Sequence, residues 1–258
     1  MSIPDTTRIL QACKDLGITV THVYHASIAI VLRDLQPQHS KERSVRYINY
    51  CLINERSKCI PPYNTTDHTA TVYHSVSSKS LALDLTIPAT TDVSFIERSN
   101  SEDSRAEFLD LVHQVKDFYT SIRDAPDNLV LAPSIFSQAT PHISTPDSKN
   151  PADTPVPAPN PSPSISISSM GKLDSIIAPQ HGAFMARDPW VTGEELGTGI
   201  GVFLGTWQGK LQLSAAYNEA WHDREQVRGL LQKCCEVVWR GLGVESAGEM
   251  GIKFEWMH

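Results

Sequence analysis

The sequence predicts an α+β fold, a layered α/β arrangement in which helices flank a mixed sheet, and three observations carry that reading. The expected elements run helix, helix, three strands, helix, then three more strands and a last helix, so strands cluster instead of alternating with helices. Apolar residues make up 40% of the 258 and charged residues 20%, the composition of a chain that packs a core. Nine prolines lie between Pro133 and Pro163, a stretch expected to be a disordered loop that interrupts a single unit spanning residues 1–258.

The first helix is expected over Asp5 to Leu16, with Asp5 as cap, Ile9, Leu10, Cys13 and Leu16 on one face and Gly17 as the stop. A second runs from Thr21 to Leu35. Its apolar residues, among them Val23, Ala26, Ile28, Ala29, Ile30 and Val31, cover most of its circumference, which marks it as a core element.

Strands follow at Val45 to Ile53, Thr69 to Val76 and Ser80 to Ile87, the last with Leu81, Leu83, Leu85 and Ile87 alternating against Ala82, Asp84 and Thr86. Ser104-x-x-Glu107 reads as a capping box for a helix whose Phe108, Leu111, Val112, Val115, Phe118, Tyr119 and Ile122 keep helical spacing. Asp124 and Pro126 end it. Beyond the prolines, Ser164 to Met170 reads as a strand entering a turn at Gly171. Ile200 to Trp207 and Lys210 to Tyr217 form a hairpin about Gln208-Gly209, with Leu211, Leu213 and Ala215 on one face. Asp223 and Gln226 open the final helix, Val227, Leu230, Leu231, Cys234 and Val238 line it, and Gly241 and Gly243 close it.

Charge and cysteine usage exclude several functions. With 22 Lys+Arg against 29 Asp+Glu the net charge is −7, so no basic field exists for nucleic acid or an anionic membrane. The five cysteines are scattered without a C-x-x-C pair, and are expected to be buried or half-buried thiols of a reducing compartment. No apolar run approaches a bilayer span and the first residues lack a signal-peptide pattern, so a cytoplasmic protein is expected. No metal site is expected either, because no His pair is joined by Asp or Glu at ligand spacing.

Several stretches, in order, resemble one family. They are Val20-Thr-His-Val-Tyr-His-Ala-Ser-Ile-Ala-Ile30, Tyr47-Ile-Asn-Tyr-Cys-Leu-Ile-Asn-Glu-Arg56, Pro61-Pro62-Tyr63 with His68 and Val72-Tyr73-His74-Ser75, and Val115-Lys-Asp-Phe-Tyr119. The Ser168-Ser169-Met170-Gly171 turn, the Asp188-Pro189-Trp190-Val191-Thr192 loop and the hairpin Thr206 to Glu219 complete the set. Together they resemble the C-terminal half of fungal secondary-metabolism acetyltransferases related to trichothecene 15-O-acetyltransferase, in the chloramphenicol acetyltransferase and condensation-domain superfamily. Glu55 and the Asp188-Pro189-Trp190 loop depart from the family's pattern at two corners.

The resemblance implies a chloramphenicol acetyltransferase-like half-domain and an O-acyltransferase of fungal secondary-metabolite or mycotoxin biosynthesis. Its substrates would be a small-molecule alcohol and an acyl thioester, with acetyl-CoA or another acyl-CoA as co-substrate and no bound cofactor. Family members carry a His-His-x-x-x-Asp loop in the other half, whose second histidine takes the hydroxyl proton. The sequence holds no His-His pair. A split or truncated enzyme is therefore expected, with a partner chain or self-association covering its inner face. The alternative is a non-catalytic or repurposed half-domain, a binding or assembly subunit or a cyclase-like protein.

If the chain supplies its own base, His68 and His74 are the catalytic candidates, because they share one face of a strand that in the resembled family lines the channel. Tyr217 and Asn218, at the end of the hairpin, are the substrate-binding candidates. His22 and His25 lie on adjacent turns of a helix among apolar residues and read as structural. His113-x-x-x-Asp117 has the motif's spacing, but inside a helix i and i+4 share a face, and it reads as a surface pair. Trp190 and Trp207 read as core aromatics.

Overall fold

The computed structural model describes residues 1–65, 73–89, 102–125, 127–139, 164–191, 193 and 198–244. Helix α1 spans Ile3–Asp15 and α2 spans Val20–Asp34. Ser2 caps α1 by accepting from the Asp5 amide, three residues before the cap expected at Asp5. Thr19 caps α2 in a reciprocal box, its hydroxyl accepting from the His22 amide while His22 Nδ1 accepts from the Thr19 amide at 3.2 Å. Nine consecutive residues of α2, Val23 to Val31, are buried, as its all-round apolar surface predicts.

The strand expected over Val45 to Ile53 is two strands, β1 (Arg43–Asn49) and β2 (Leu52–Asn54). The chain breaks between them because side chains take the backbone amides: Asn49 Oδ1 accepts from Tyr50 N at 2.8 Å and Ser77 Oγ from Cys51 N at 3.1 Å. β2 then pairs antiparallel with β3 (His74–Val76), and β1 pairs antiparallel with β4 (Leu81–Ile87). β4 alternates buried and exposed at every residue, as its sequence demands. Residues 69–72 of the second expected strand lie outside the described residues.

Helix α3 spans Glu102–Arg123 and starts two residues before Ser104. The proposed capping box therefore sits inside the first turn, and Glu107 instead accepts from Arg33 Nη1 at 2.5 Å. Helix α4 (Asn128–Ala139) was not expected, because it carries Pro133 in its interior, where proline costs a hydrogen bond. Tertiary anchoring overrides that cost. Asn128 is fully buried and receives the Ser78 amide at 2.7 Å, and Ala132 is buried one turn on. Residues 133–139 of the stretch expected to be a disordered loop are thus helical, and residues 140–163 lie outside the described residues.

After it, β5 (Ile165–Lys172) runs parallel to β8 (Ile200–Trp207), which pairs antiparallel with β9 (Lys210–Tyr217). β5 does not turn at Gly171. The register slips by one residue at Met170 and Gly171 takes φ 70°, so a bulge carries the strand on to Lys172. Gln208 and Gly209 both have positive φ, 45° and 76°, the geometry of a tight hairpin turn. A short hairpin, β6 (Gln180–His181) and β7 (Phe184–Met185), projects between β5 and β8 in sequence.

Helix α5 (Arg224–Leu242) starts at Asp223, whose carboxylate accepts from the Gln226 amide at 2.8 Å, and ends at Gly243 in the left-handed conformation. Gly241 lies inside the helix, against the Phe108 ring, and does not close it. α2, α3 and α5 pack together against the inner faces of β1, β4, β5, β8 and β9, and one core runs through all of them. Among the described residues no single helix is long and apolar enough to cross a membrane.

Candidate functional site

The strands form two main sheets, β1 with β4 and β5 with β8 and β9, and a cleft lies between them. It encloses about 640 Å³. Six consecutive residues, Val45 to Tyr50, line one side and Ser164 to Ser166 the other, with Gly199 and Ile200 behind them. Side chains along a strand alternate between faces, so a consecutive run can border a cavity only along the strand's backbone edge. Ala29, Leu32, Arg33 and Gln36, one face of α2, form the floor.

At one end a buried polar group ties the sheets together. Asn49 faces inward on β1, donates from Nδ2 to the Ile165 carbonyl at 2.6 Å, and meets the Tyr47 hydroxyl. Tyr47 packs edge-on against His25, which also meets the Tyr119 ring edge-on and places Nδ1 3.3 Å from the Tyr119 hydroxyl. His25 is wholly buried, and burial, with the nearby His22, pushes its pKa down to about 3. Burial and the Lys116 charge push His22 down to about 4. Both rings are neutral near pH 7 and too weakly basic to take a proton from an alcohol, so they are structural, as their apolar neighbours suggest.

A second hollow of about 380 Å³ lies beside β3 and α4, lined by Glu55, Cys59, Tyr73, His74, Ser75, Leu129, Ala132 and Pro133. Burial pushes the Glu55 carboxyl up, but Lys58 Nζ at 2.8 Å, the Ser75 hydroxyl donating at 2.6 Å and Asn128 Nδ2 outweigh it and hold the pKa below the ordinary value. The group is a buried carboxylate that pins α4 to β2 and β3. Glu55 thus has a structural task at this corner.

His74 is exposed at the start of β3, opposite Asn54, and borders this hollow and not the cleft between the sheets. His68 lies outside the described residues. Tyr217 pairs with Ile200 across the hairpin and packs against the core. Asn218 closes a turn, its Oδ1 accepting from the Ala220 amide at 2.9 Å and its carbonyl from Trp221 and His222. Tyr217 and Asn218 therefore both take structural positions near, but not in, the cleft. His113 is exposed on α3, as its helical spacing implies. Trp207 is buried, whereas Trp190 is 54% exposed and is not a core aromatic. All five cysteines are free, four buried and Cys59 half-buried. Among the described residues no cluster of His, Cys, Asp or Glu could hold a metal.

Asn49, Tyr119 and Asn128 did not stand out in the sequence. Asn49 left one trace, an amide on the inward-facing positions of a strand that otherwise places Val45 and Tyr47 there.

Compared with solved structures, this arrangement matches the trichothecene 15-O-acetyltransferase TRI3 from Fusarium sporotrichioides at a TM-score of 0.67 and 15% identity, over 93% of this chain and 46% of that one. The chain has a chloramphenicol acetyltransferase-like half-domain fold. The half-domain also aligns with the epimerization domain from the third module of tyrocidine synthetase B, at a TM-score of 0.48 and 11% identity over 94% of this chain and 46% of that one. A condensation domain mediating chain release from the enacyloxin polyketide synthase aligns at 0.47 and 13%, over 98% and 42%. The half-domain spans about half the length of each of these proteins. No protein-family model and no curated protein sequence matches it.

Proposed function

We propose that the half-domain forms one wall of an O-acyltransferase that moves an acyl group from acyl-CoA, acetyl-CoA in the first instance, to the hydroxyl of a small secondary metabolite of the mycotoxin kind. The observation that supports this reading is the TRI3 match over 93% of the chain. The reaction needs a base within hydrogen-bond reach of the alcohol and donors for the tetrahedral oxyanion. His25 is wholly buried, and half-buried His22 is made less basic by burial and by the Lys116 charge, which disfavours both as the base. The candidates for the base are His74 and His68 of this chain, or a histidine of a partner polypeptide that covers the inner face.

The test is acyl transfer itself. Purified protein with acetyl-CoA and a panel of sesquiterpenoid and polyketide alcohols is expected to release free CoA and yield acetylated product by mass spectrometry, alone or with a His-His-x-x-x-Asp polypeptide added. Product formed only with that polypeptide assigns the base to the partner. No product in either mixture overturns the reading and leaves a non-catalytic binding or assembly subunit.

A further inference from the structure

Helix α4 roofs the second hollow, the one of about 380 Å³ beside β3. No residue of α4 is charged, and the strip it turns to the hollow is Leu129, Ala132 and Pro133. Pro133 has no amide hydrogen, so it cannot give the Leu129 carbonyl the bond that a helix supplies four residues on. That carbonyl belongs to the strip facing the hollow, because Leu129 and Pro133 both line it and the helical bond would run between them. The roof is therefore apolar, with one main-chain acceptor.

The opposite wall turns its hydrogens toward Glu55. The Ser75 hydroxyl donates to Glu55 Oε1 at 2.6 Å and the Cys59 thiol to the Glu55 carbonyl at 3.7 Å. The Tyr73 ring is held by the Arg56 guanidinium, 3.8 Å from its centre. Glu55 keeps its negative charge, and Lys58 Nζ at 2.8 Å already matches it. A carboxylate guest would stand beside Glu55 with no cation to share, and an ammonium would give up its water to meet a charge already balanced. The guest that fits is uncharged. At about 380 Å³ the hollow is near the lower end of the ~300–1,000 Å³ of small-molecule pockets, so the guest is also compact.

We infer that the hollow between β3 and α4 binds a compact, uncharged alcohol, with its hydrocarbon body against Leu129, Ala132 and Pro133 and its hydroxyl donating to the Leu129 carbonyl. The binding stands apart from the acyl-transfer reading. Calling the guest the acyl acceptor rests on that reading, and requires a second hydroxyl at the mouth of the hollow, beside His74.

Calorimetric titration of the full chain with borneol, without acyl-CoA, tests the binding. Borneol is a rigid, compact alcohol, and camphor has the same shape with a ketone in place of the hydroxyl. Borneol is expected to bind, and camphor to bind about tenfold more weakly or worse, the cost of one lost hydrogen bond. Pro133→Ala returns an amide hydrogen to the Leu129 carbonyl, so it should bring borneol down to the camphor level while leaving the thermal midpoint no lower. Cys59→Leu narrows the hollow from the other wall and should weaken both ligands. Absence of borneol binding overturns the inference. So do equal affinities for borneol and camphor, or borneol binding that Pro133→Ala and Cys59→Leu leave unchanged. Borneol bound as expected, with no acyl transfer to any alcohol, defeats the acyl-transfer reading and leaves this site standing. Acyl transfer whose KM for the alcohol is untouched by Pro133→Ala and Cys59→Leu does the reverse.

Discussion

Asn49 donates from its side-chain amide to the main-chain carbonyl of Ile165 at 2.6 Å, joining strands that lie 116 positions apart in the chain. The bond is buried and holds together two sheets that share no ladder hydrogen bonds. Replacing Asn49 by Leu removes the donor and leaves the Ile165 carbonyl unsatisfied, which is expected to destabilise by about 1–3 kcal/mol. Urea titration reads the effect. An unchanged midpoint would mean that packing of α2 alone holds the two sheets in register.

Gly241 brings α5 close against α3 at the Phe108 ring. A Cβ there would lie 2.2 Å from Cδ1 of Phe108, so alanine forces α3 and α5 apart. Helix propensity alone favours Gly241→Ala by about 1 kcal/mol, and the clash is expected to reverse that sign and cost about 1–3 kcal/mol net. Phe108→Leu in the same chain should recover part of the loss, because the two positions share one contact. A thermal midpoint raised by Gly241→Ala would refute the close approach.

Much of this fold was legible because its local signals agree with its packing. The alternation in β4, the turn at Gln208-Gly209 and the cap at Asp223 each have one physical solution, and the chain adopts it. What was not legible depends on partners distant in sequence. Pro133 argues against a helix until Asn128 is seen bonded to Ser78, and Val45 to Ile53 reads as one strand until Asn49 and Ser77 are seen capturing the amides at its break. The site was less legible than the fold for the same reason. His25 and Tyr119 are 94 positions apart, and nothing local to either residue announces the contact.

The buried histidine gives the stability a pH dependence with a definite sign. The folded chain holds His25 near a pKa of about 3, against an ordinary 6.5, because burial and the neighbouring His22 both disfavour its charged form. The stability linked to that depressed pKa is fully present above pH 6.5. As pH falls from there toward 3, the unfolded chain binds a proton that the folded chain refuses, and stability is lost at up to about 1.4 kcal/mol per pH unit. His25→Phe should flatten the profile by that slope between about pH 6 and pH 5 in urea titrations. An identical slope in both proteins would show that His25 is protonated in the folded state.

The last expectation separates three histidines by what surrounds them. His113 stands on the exposed face of α3, away from the cleft, so its His-x-x-x-Asp spacing reflects one helical turn and His113→Ala should leave acyl transfer unchanged. His74 is exposed at the mouth of the hollow between β3 and α4, where an imidazole can exchange protons with solvent and substrate. If this chain supplies its own base, His74→Ala or His68→Ala should lower the rate by about 10²–10⁴, the loss expected when a general base is removed. The same variants should leave the thermal midpoint of an exposed His74 almost untouched, which distinguishes lost chemistry from lost folding. Full activity in both places the base elsewhere in this chain or on a partner polypeptide. An inactive His113→Ala with His74→Ala active would return the catalytic role to the helical pair, and would require α3 to face a substrate that the present packing keeps away from it.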